Sequence, residues 1–340
     1  MLRLPAFELA RPQTVEEAVA LVAEHGEAAA VLGGGTDLLP NMKHGLVTPR
    51  VVVSLASIPE LDALAVAEDG TLVIGATCPL AVLASDERVV AGWPALAQAA
   101  GLVASPQLRN SGTLGGNVML DTRCRWINQT HFWRKSLGFC LKKDGSECHV
   151  VAGGSRCVAA ASNDSAPALM SLGAVGVFAG PGGRRELPLE SLWTTDGIRN
   201  KRTDPGELLV EVRVPATADG HRGAYGKLRD RGSIDFPLLG CAVRLELDET
   251  GAVGGADVVL VALQARPARL RRCGEQLGGT TPGKADFTAA AAAVAEAARR
   301  QARPLANVPG DPDYRHAMVP VLVRRTLEAA GGGGGPVHPL

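Results

Sequence analysis

The chain has 340 residues, and its 35 Lys and Arg are balanced by 35 Asp and Glu. At roughly 150 residues per domain the length suggests about two domains; the zero net charge argues against a dedicated nucleic-acid binder, and 46% hydrophobic residues exclude a disordered chain. No apolar run reaches the roughly 18–20 residues of a membrane span, and the opening MLRLPAFELARP lacks the apolar core of a signal peptide, so a cytoplasmic protein is expected.

In chain order, the first segment reads as strand, helix, strand, loop. Thr14 to Glu17 is a capping box, Ala18, Val19 and Val22 give an apolar face, and Gly26 is a C-cap. The short apolar run from Ala28 to Leu32 ends at three glycines. Arg50 to Leu55 is a β-branched strand, and Thr71 to Ala76 is a second. Ser85 to Ala104 reads as helix interrupted at Gly92-Trp93-Pro94, and it leads to a second glycine loop, Ser111 to Asn117. From Asp121 to Cys157 the regular pattern breaks. Asp164 to Gly173 is a short helix with a glycine cap. Residues 207–214, 239–247 and 254–263 alternate as antiparallel strands of a third segment. Residues 287–300 and 314–330 are helices. The plan is α+β, a split N-terminal half followed by a sheet packed with helices, without an internal repeat.

Three clusters carry chemistry. In Leu32-Gly33-Gly34-Gly35-Thr36-Asp37-Leu38, glycines let the backbone approach a ligand and present N–H groups as an anion nest. The spacing is neither a P-loop nor GxGxxG, and the alternative is a tight structural turn. The Asp37 carboxylate is expected to cap the following turn. Ser111 to Asn117 is a similar loop, with Thr113 and Asn117 as side-chain hydrogen-bonding groups, and two such loops suit a diphosphate better than one. The third cluster is Cys124, Cys140, Cys148 and Cys157, spaced C-x15-C-x7-C-x8-C. Neither zinc knuckles nor the compact ferredoxin run is present. Around them Arg123, Arg125, Arg134, Lys135, Lys142, Lys143 and Arg156 face only Asp121, Asp144 and Glu147. An iron–sulfur cluster, zinc and no metal all remain open on this pattern. Cys78, Cys241 and Cys273 are expected to be small buried hydrophobes. The seven histidines are scattered, so no triad, general acid or general base is assigned.

LGGGTDLLPNMK, SPQLRNSGTLGGN, NDSAPAL and YGKLRDRGSIDFPLLG together resemble the FAD subunit of the molybdenum hydroxylases, the group of xanthine and carbon-monoxide dehydrogenases. The likeness runs over about residues 1–290. It implies a two-part FAD-binding domain of the PCMH/vanillyl-alcohol-oxidase type followed by a C-terminal α+β domain. The expected division is 1–56 and 57–178 for the two FAD-binding parts, 179–330 for the C-terminal domain, and a flexible tail at 331–340. The resemblance places Leu32 to Leu38 around the FAD pyrophosphate, with Thr113, Gly116 and Asn117 as the second loop. It sets Asp164 near the ribityl chain, Leu208 and Leu209 along the cofactor, and Lys227 at the pyrimidine end of the isoalloxazine.

The segment at about 121–160 is an insertion whose DTRCRW, WRKSLGFCLKKDG and cysteine spacing resemble the β subunit of 4-hydroxybenzoyl-CoA reductase. That resemblance implies a [4Fe–4S] cluster on Cys124, Cys140, Cys148 and Cys157. It also implies a large molybdopterin subunit and a small subunit with two [2Fe–2S] clusters, in a dimer of heterotrimers. A ferredoxin would send electrons inward to remove the phenolic hydroxyl on the large subunit.

Overall fold

The computed structural model describes residues 2–332 and 334–337. The first part comprises β1 (Glu8–Ala10), α1 (Val15–His25), β2 (Ala29–Leu32), α2 (Leu38–Lys43) and β3 (Val51–Ser54). Its strands form a parallel sheet in the order β1-β3-β2. The Thr14 hydroxyl accepts the Glu17 N–H at 3.1 Å, so α1 starts where its capping residue stands. The Glu17 carboxylate closes the box on the Gln13 N–H at 2.7 Å, one residue before the cap. Val15, Ala18 and Val19 pack on Val51 and Val53, the face that the helical spacing marks as apolar.

The middle part contains β4 (Leu64–Val66), β5 (Leu72–Gly75), α3 (Leu80–Ser85), α4 (Glu87–Gly92), α5 (Pro94–Gly101), α6 (Pro106–Ser111), α7 (Leu114–Val118), α8 (His131–Ser136), α9 (Ser165–Ser171), β6 (Val175–Gly180), β7 (Gly183–Pro188), α10 (Leu189–Leu192) and β8 (Leu208–Val214). Its five-stranded antiparallel sheet runs β4-β5-β8-β6-β7. The expected interrupted helix over 85–104 resolves into α4 and α5, because the Asp86 carboxylate caps α4 and Pro94 opens α5.

The third part holds β9 (His221–Leu228), β10 (Leu239–Leu247), β11 (Val253–Val261), β12 (Ala268–Arg269), α11 (Cys273–Leu277), α12 (Ala285–Gln301) and α13 (Pro312–Gly332). The antiparallel sheet runs β12-β11-β10-β9, with α12 and α13 packed on it. Cys78, Cys241 and Cys273 are buried as expected.

Three expectations change. The sequence groups strand 207–214 with the third segment, yet β8 pairs with β5 and β6, and the expected boundary at 178 falls inside β6. Alternation identifies a strand but not its partner, which is chosen by packing. β9 had no sequence signal, since buried residues on both its faces erase the period of two. The tail was expected to be flexible from 331, but α13 continues through Gly332, and Val337 exchanges backbone hydrogen bonds with β9 at Tyr225 (3.1 Å) and Lys227 (3.0 Å). The pairing covers part of an edge strand whose free N–H and C=O groups would otherwise be open to other chains. Residues 333 and 338–340 of that tail lie outside the described residues.

Leu96 on α5 is fully buried in the core shared by the middle and third parts. Leu96→Ala is expected to cost about 2–5 kcal/mol, read as a lower denaturant midpoint with an unchanged slope.

Candidate functional site

The two glycine segments meet. A Cβ on Gly34 would collide with the Ser111 carbonyl, and Gly35 has a φ of +72°, so backbone approach on one side and a left-handed turn on the other demand glycine here. The N–H groups of Gly33 to Leu38 find no backbone carbonyl among the described residues, which leaves a row of free donors on half-buried residues. Asp37 makes no side-chain cap on α2, contrary to expectation. Its carboxylate instead accepts from the Asn41 amide at 2.9 Å and pairs with Arg123.

The second segment is a short helix rather than an open loop. Leu114 and Gly115 donate to the Cys78 and Ala76 carbonyls, both at 2.9 Å, and the Thr113 hydroxyl caps Gly116 at 3.1 Å. The Asn117 carbonyl oxygen accepts the Ser165 N–H and hydroxyl, so this side chain joins α7 to α9. Thr113 and Asn117 thus hold the segment's shape, with Gly116 exposed on its surface.

Asp164 stands just before α9 and does not cap it. Its carboxylate accepts the Tyr225 hydroxyl at 2.8 Å and the Lys227 ammonium at 3.0 Å, all three side chains being buried. The ammonium also donates to the Leu102 carbonyl at 2.9 Å and the Asp235 carbonyl at 3.2 Å, so its three protons are spent inside the protein. Burial pushes the Asp164 carboxyl up, and the Lys227 charge and Tyr225 hydroxyl oppose that. Burial and the neighbouring carboxylate push the Tyr225 phenol well above its usual value, so it stays a donor. Leu208 and Leu209 lie on opposite faces of β8, in the first and middle cores respectively, and packing alone accounts for their apolar character.

The cysteine insertion closes at its base through paired Arg123 and Ala160 backbone hydrogen bonds of 2.7 Å. The Lys142 ammonium ties it to Asp121, Thr122 and the Gly197 carbonyl at 2.7–2.9 Å. The buried Arg134 guanidinium donates to the Gly45 carbonyl at 2.9 Å, which pins α8 just beyond α2. Arg123 reaches further, pairing with Asp37 and stacking 4.5 Å from the centre of the Phe236 ring; burial pushes its guanidinium down to about 10. Cys124, Cys140, Cys148 and Cys157 line one small void with Trp126, Ile127, Lys142 and His149. Burial raises the free Cys124 thiol to about 11. Among the described residues no three or more His, Cys, Asp or Glu side chains are gathered to hold a metal ion.

Residues 5–217 match the family model described as the FAD binding domain in molybdopterin dehydrogenase, and residues 223–330 match the CO dehydrogenase flavoprotein C-terminal domain. The chain is an FAD-binding subunit of the molybdenum hydroxylase family. The carbon monoxide dehydrogenase medium chain of Hydrogenophaga pseudoflava is 33% identical over 326 residues, covering 96% of this chain and 97% of that one. The aldehyde oxidoreductase FAD-binding subunit PaoB of Escherichia coli K12 is 34% identical over 278 residues, covering 78% and 86%. The solved carbon monoxide dehydrogenase from H. pseudoflava superposes with a TM-score of 0.78 at 31% identity, covering 96% of this chain and 98% of that one. No helix among the described residues is long and apolar enough to cross a membrane.

This FAD subunit has residues that fit the cofactor: the row of N–H donors at Gly33 to Leu38 suits a diphosphate, and the second glycine segment packs directly against it at Gly33 and Gly34. Sequence reading alone missed Tyr225, Arg123 and Arg134 as organising residues. Tyr225 had a signal, two positions from Lys227 and hence on the same strand face; the arginines stood among other cations of the insertion.

Gly34→Ala must push the two segments apart, so flavin per purified chain is expected to fall several-fold while far-ultraviolet circular dichroism stays unchanged. Lys227→Met strands a buried carboxyl and is expected to cost about 3–5 kcal/mol at neutral pH. Without the ammonium the native carboxyl is raised further, while the unfolded chain releases its proton in the ordinary carboxylate range. The variant therefore loses stability as pH rises through that range, and its deficit against the parent is smallest in acid. Denaturant melts from acid to neutral pH check this; a deficit independent of pH would count against the pair.

Proposed function

We propose that this chain is the FAD- and [4Fe–4S]-carrying electron-transfer subunit of a molybdenum-containing reductase of the 4-hydroxybenzoyl-CoA reductase kind. In this reading a ferredoxin is the donor, and reductive dehydroxylation to benzoyl-CoA takes place on a partner subunit. The observation that carries it is the common void lined by Cys124, Cys140, Cys148 and Cys157. A cubane cluster binds one thiolate at each iron corner, so its cysteines stand around the cluster rather than closing on one ion. Four thiolates with Lys142 beside them suit an anionic cluster, whose potential such neighbours tune.

The second support is position. Arg123, adjacent to Cys124, touches Asp37 of the first glycine segment, and Arg134 fastens the insertion beside α2. Two carriers would therefore occupy adjoining parts of one chain. FAD, when bound, supplies the exchange between electron pairs and single electrons. The residues of this chain bind, orient and screen; none is assigned as acid or base. The partners in this reading are a large molybdopterin subunit and a small subunit with two [2Fe–2S] clusters, in a cytoplasmic dimer of heterotrimers. FAD contacts at Leu32 to Leu38, Thr113, Gly116 and Asn117, with Asp164 near the ribityl chain, Leu208 and Leu209 along the cofactor and Lys227 at the pyrimidine end of the isoalloxazine, belong to the same proposal.

A second reading is favoured by the relatives' names, which describe dehydrogenases and an aldehyde oxidoreductase. In it electrons leave the complex, and the substrate is oxidised.

Anaerobic purification is expected to yield about four irons and one flavin per chain. Cys140→Ser is expected to remove the reduced-cluster EPR signal and leave the flavin in place. Stoichiometric zinc, or an EPR signal untouched by the substitution, would overturn the cluster assignment. A cluster midpoint potential well above that of a ferredoxin would favour the oxidative direction.

A further inference from the structure

A cavity of about 950 Å³ opens in the third part, lined by none of the glycine-segment or insertion residues. It lies between β12 with the turn that follows it, the last turn of α12, Met170 of α9 and Glu190 of α10. Six arginines line it, Arg266, Arg269, Arg271, Arg272, Arg300 and Arg303, against two acids, Glu190 and Asp257.

The two acids are already used. Arg269 pairs with Asp257 and with Glu190, the latter at 2.9 Å, and donates to the Met170 carbonyl at 2.7 Å. Arg303 is used as well, donating to the Arg300 and Ala302 carbonyls at 2.7 Å and so capping the end of α12. Arg272 meets only Glu275, in an exposed pair worth little in water. Arg266, Arg271 and Arg300 find no acid and no hydrogen-bond acceptor among the described residues. Three guanidiniums, Arg266, Arg271 and Arg300, thus face one concave space with no paired acid among the described residues, and Arg272 stands beside them in its exposed pair with Glu275. Such a cleft focuses the field and concentrates anions. The volume lies at the upper end of the roughly 300–1,000 Å³ of small-molecule sites, and the planar guanidinium fork matches phosphate oxygens two at a time.

We propose that this cleft binds a small molecule bearing two or more linked phosphate groups, held by Arg266, Arg271, Arg272 and Arg300 over a floor fixed by Arg269. It is separate from the FAD-binding cleft and does not depend on the direction of electron flow.

The test uses the assembled, FAD-loaded complex, so that the flavin site is filled. Tripolyphosphate and ADP are titrated calorimetrically at low and moderate salt, with sulfate at matched ionic strength as control. One saturable site per chain is expected for the phosphates and none for sulfate. Arg266→Gln and Arg271→Gln, both at exposed positions, should each weaken binding about tenfold without changing flavin content. Tighter binding of ADP than of tripolyphosphate assigns a nucleotide; the reverse assigns free polyphosphate. The proposal is overturned by an absence of saturable binding, by equal binding of sulfate, or by affinity that both variants leave unchanged. It is also overturned if the variants release a partner subunit while the parent complex binds neither phosphate, since the cleft is then a subunit interface.

Discussion

The buried contact among Asp164, Tyr225 and Lys227 decides how the third part sits on the flavin-binding half. Asp164 belongs to the start of α9, whereas Tyr225 and Lys227 belong to β9, and Lys227 also holds the last turn of α5 through the Leu102 carbonyl. A buried charge is tolerated only when it is paired and its protons are accepted. Any other docking of β9 would leave an ammonium or a carboxylate stranded in the core. The contact therefore selects one arrangement rather than adding much net stability. The same arrangement brings Phe236, on the loop after β9, under Arg123.

Arg123 links the rest. Its backbone closes the insertion, its side chain reaches the first glycine segment, and the next residue is the first of the four cysteines. The insertion is thus clamped on either side of α2, by Arg123 at Asp37 and by Arg134 at Gly45. If the proposed cluster occupies the insertion, such support would hold it in place beside the flavin-binding part, where the protein's contribution is position and electrostatics rather than bond chemistry.

Charge is distributed unevenly in a chain whose total is zero. Acids and bases pair off along the middle sheet, as with Arg185 and Glu207 or Arg213 and Glu211. Cations remain in excess at the cysteine insertion and at the arginine cleft beside β12. The two cationic concentrations on a neutral chain are where the proposed anionic groups would offset the repulsion.

Local signals in the sequence determined the local structure. Thr14 and Gly26 bound α1 because a hydroxyl caps one end and a glycine with a φ of +50° turns the chain at the other, both local choices. The spacing of four cysteines and the glycine runs likewise fixed where cofactor chemistry was to be sought, since both patterns lie within short stretches of chain. Tertiary structure decided the partners. It placed β8 in the middle sheet, turned the second glycine segment into α7, and moved the Asp37 carboxylate from capping its own helix to Arg123, 86 positions away. It also spent every proton of Lys227 inside the core. Those outcomes depend on which distant group satisfies a buried donor or apolar face, and residue order along one segment carries no record of that choice.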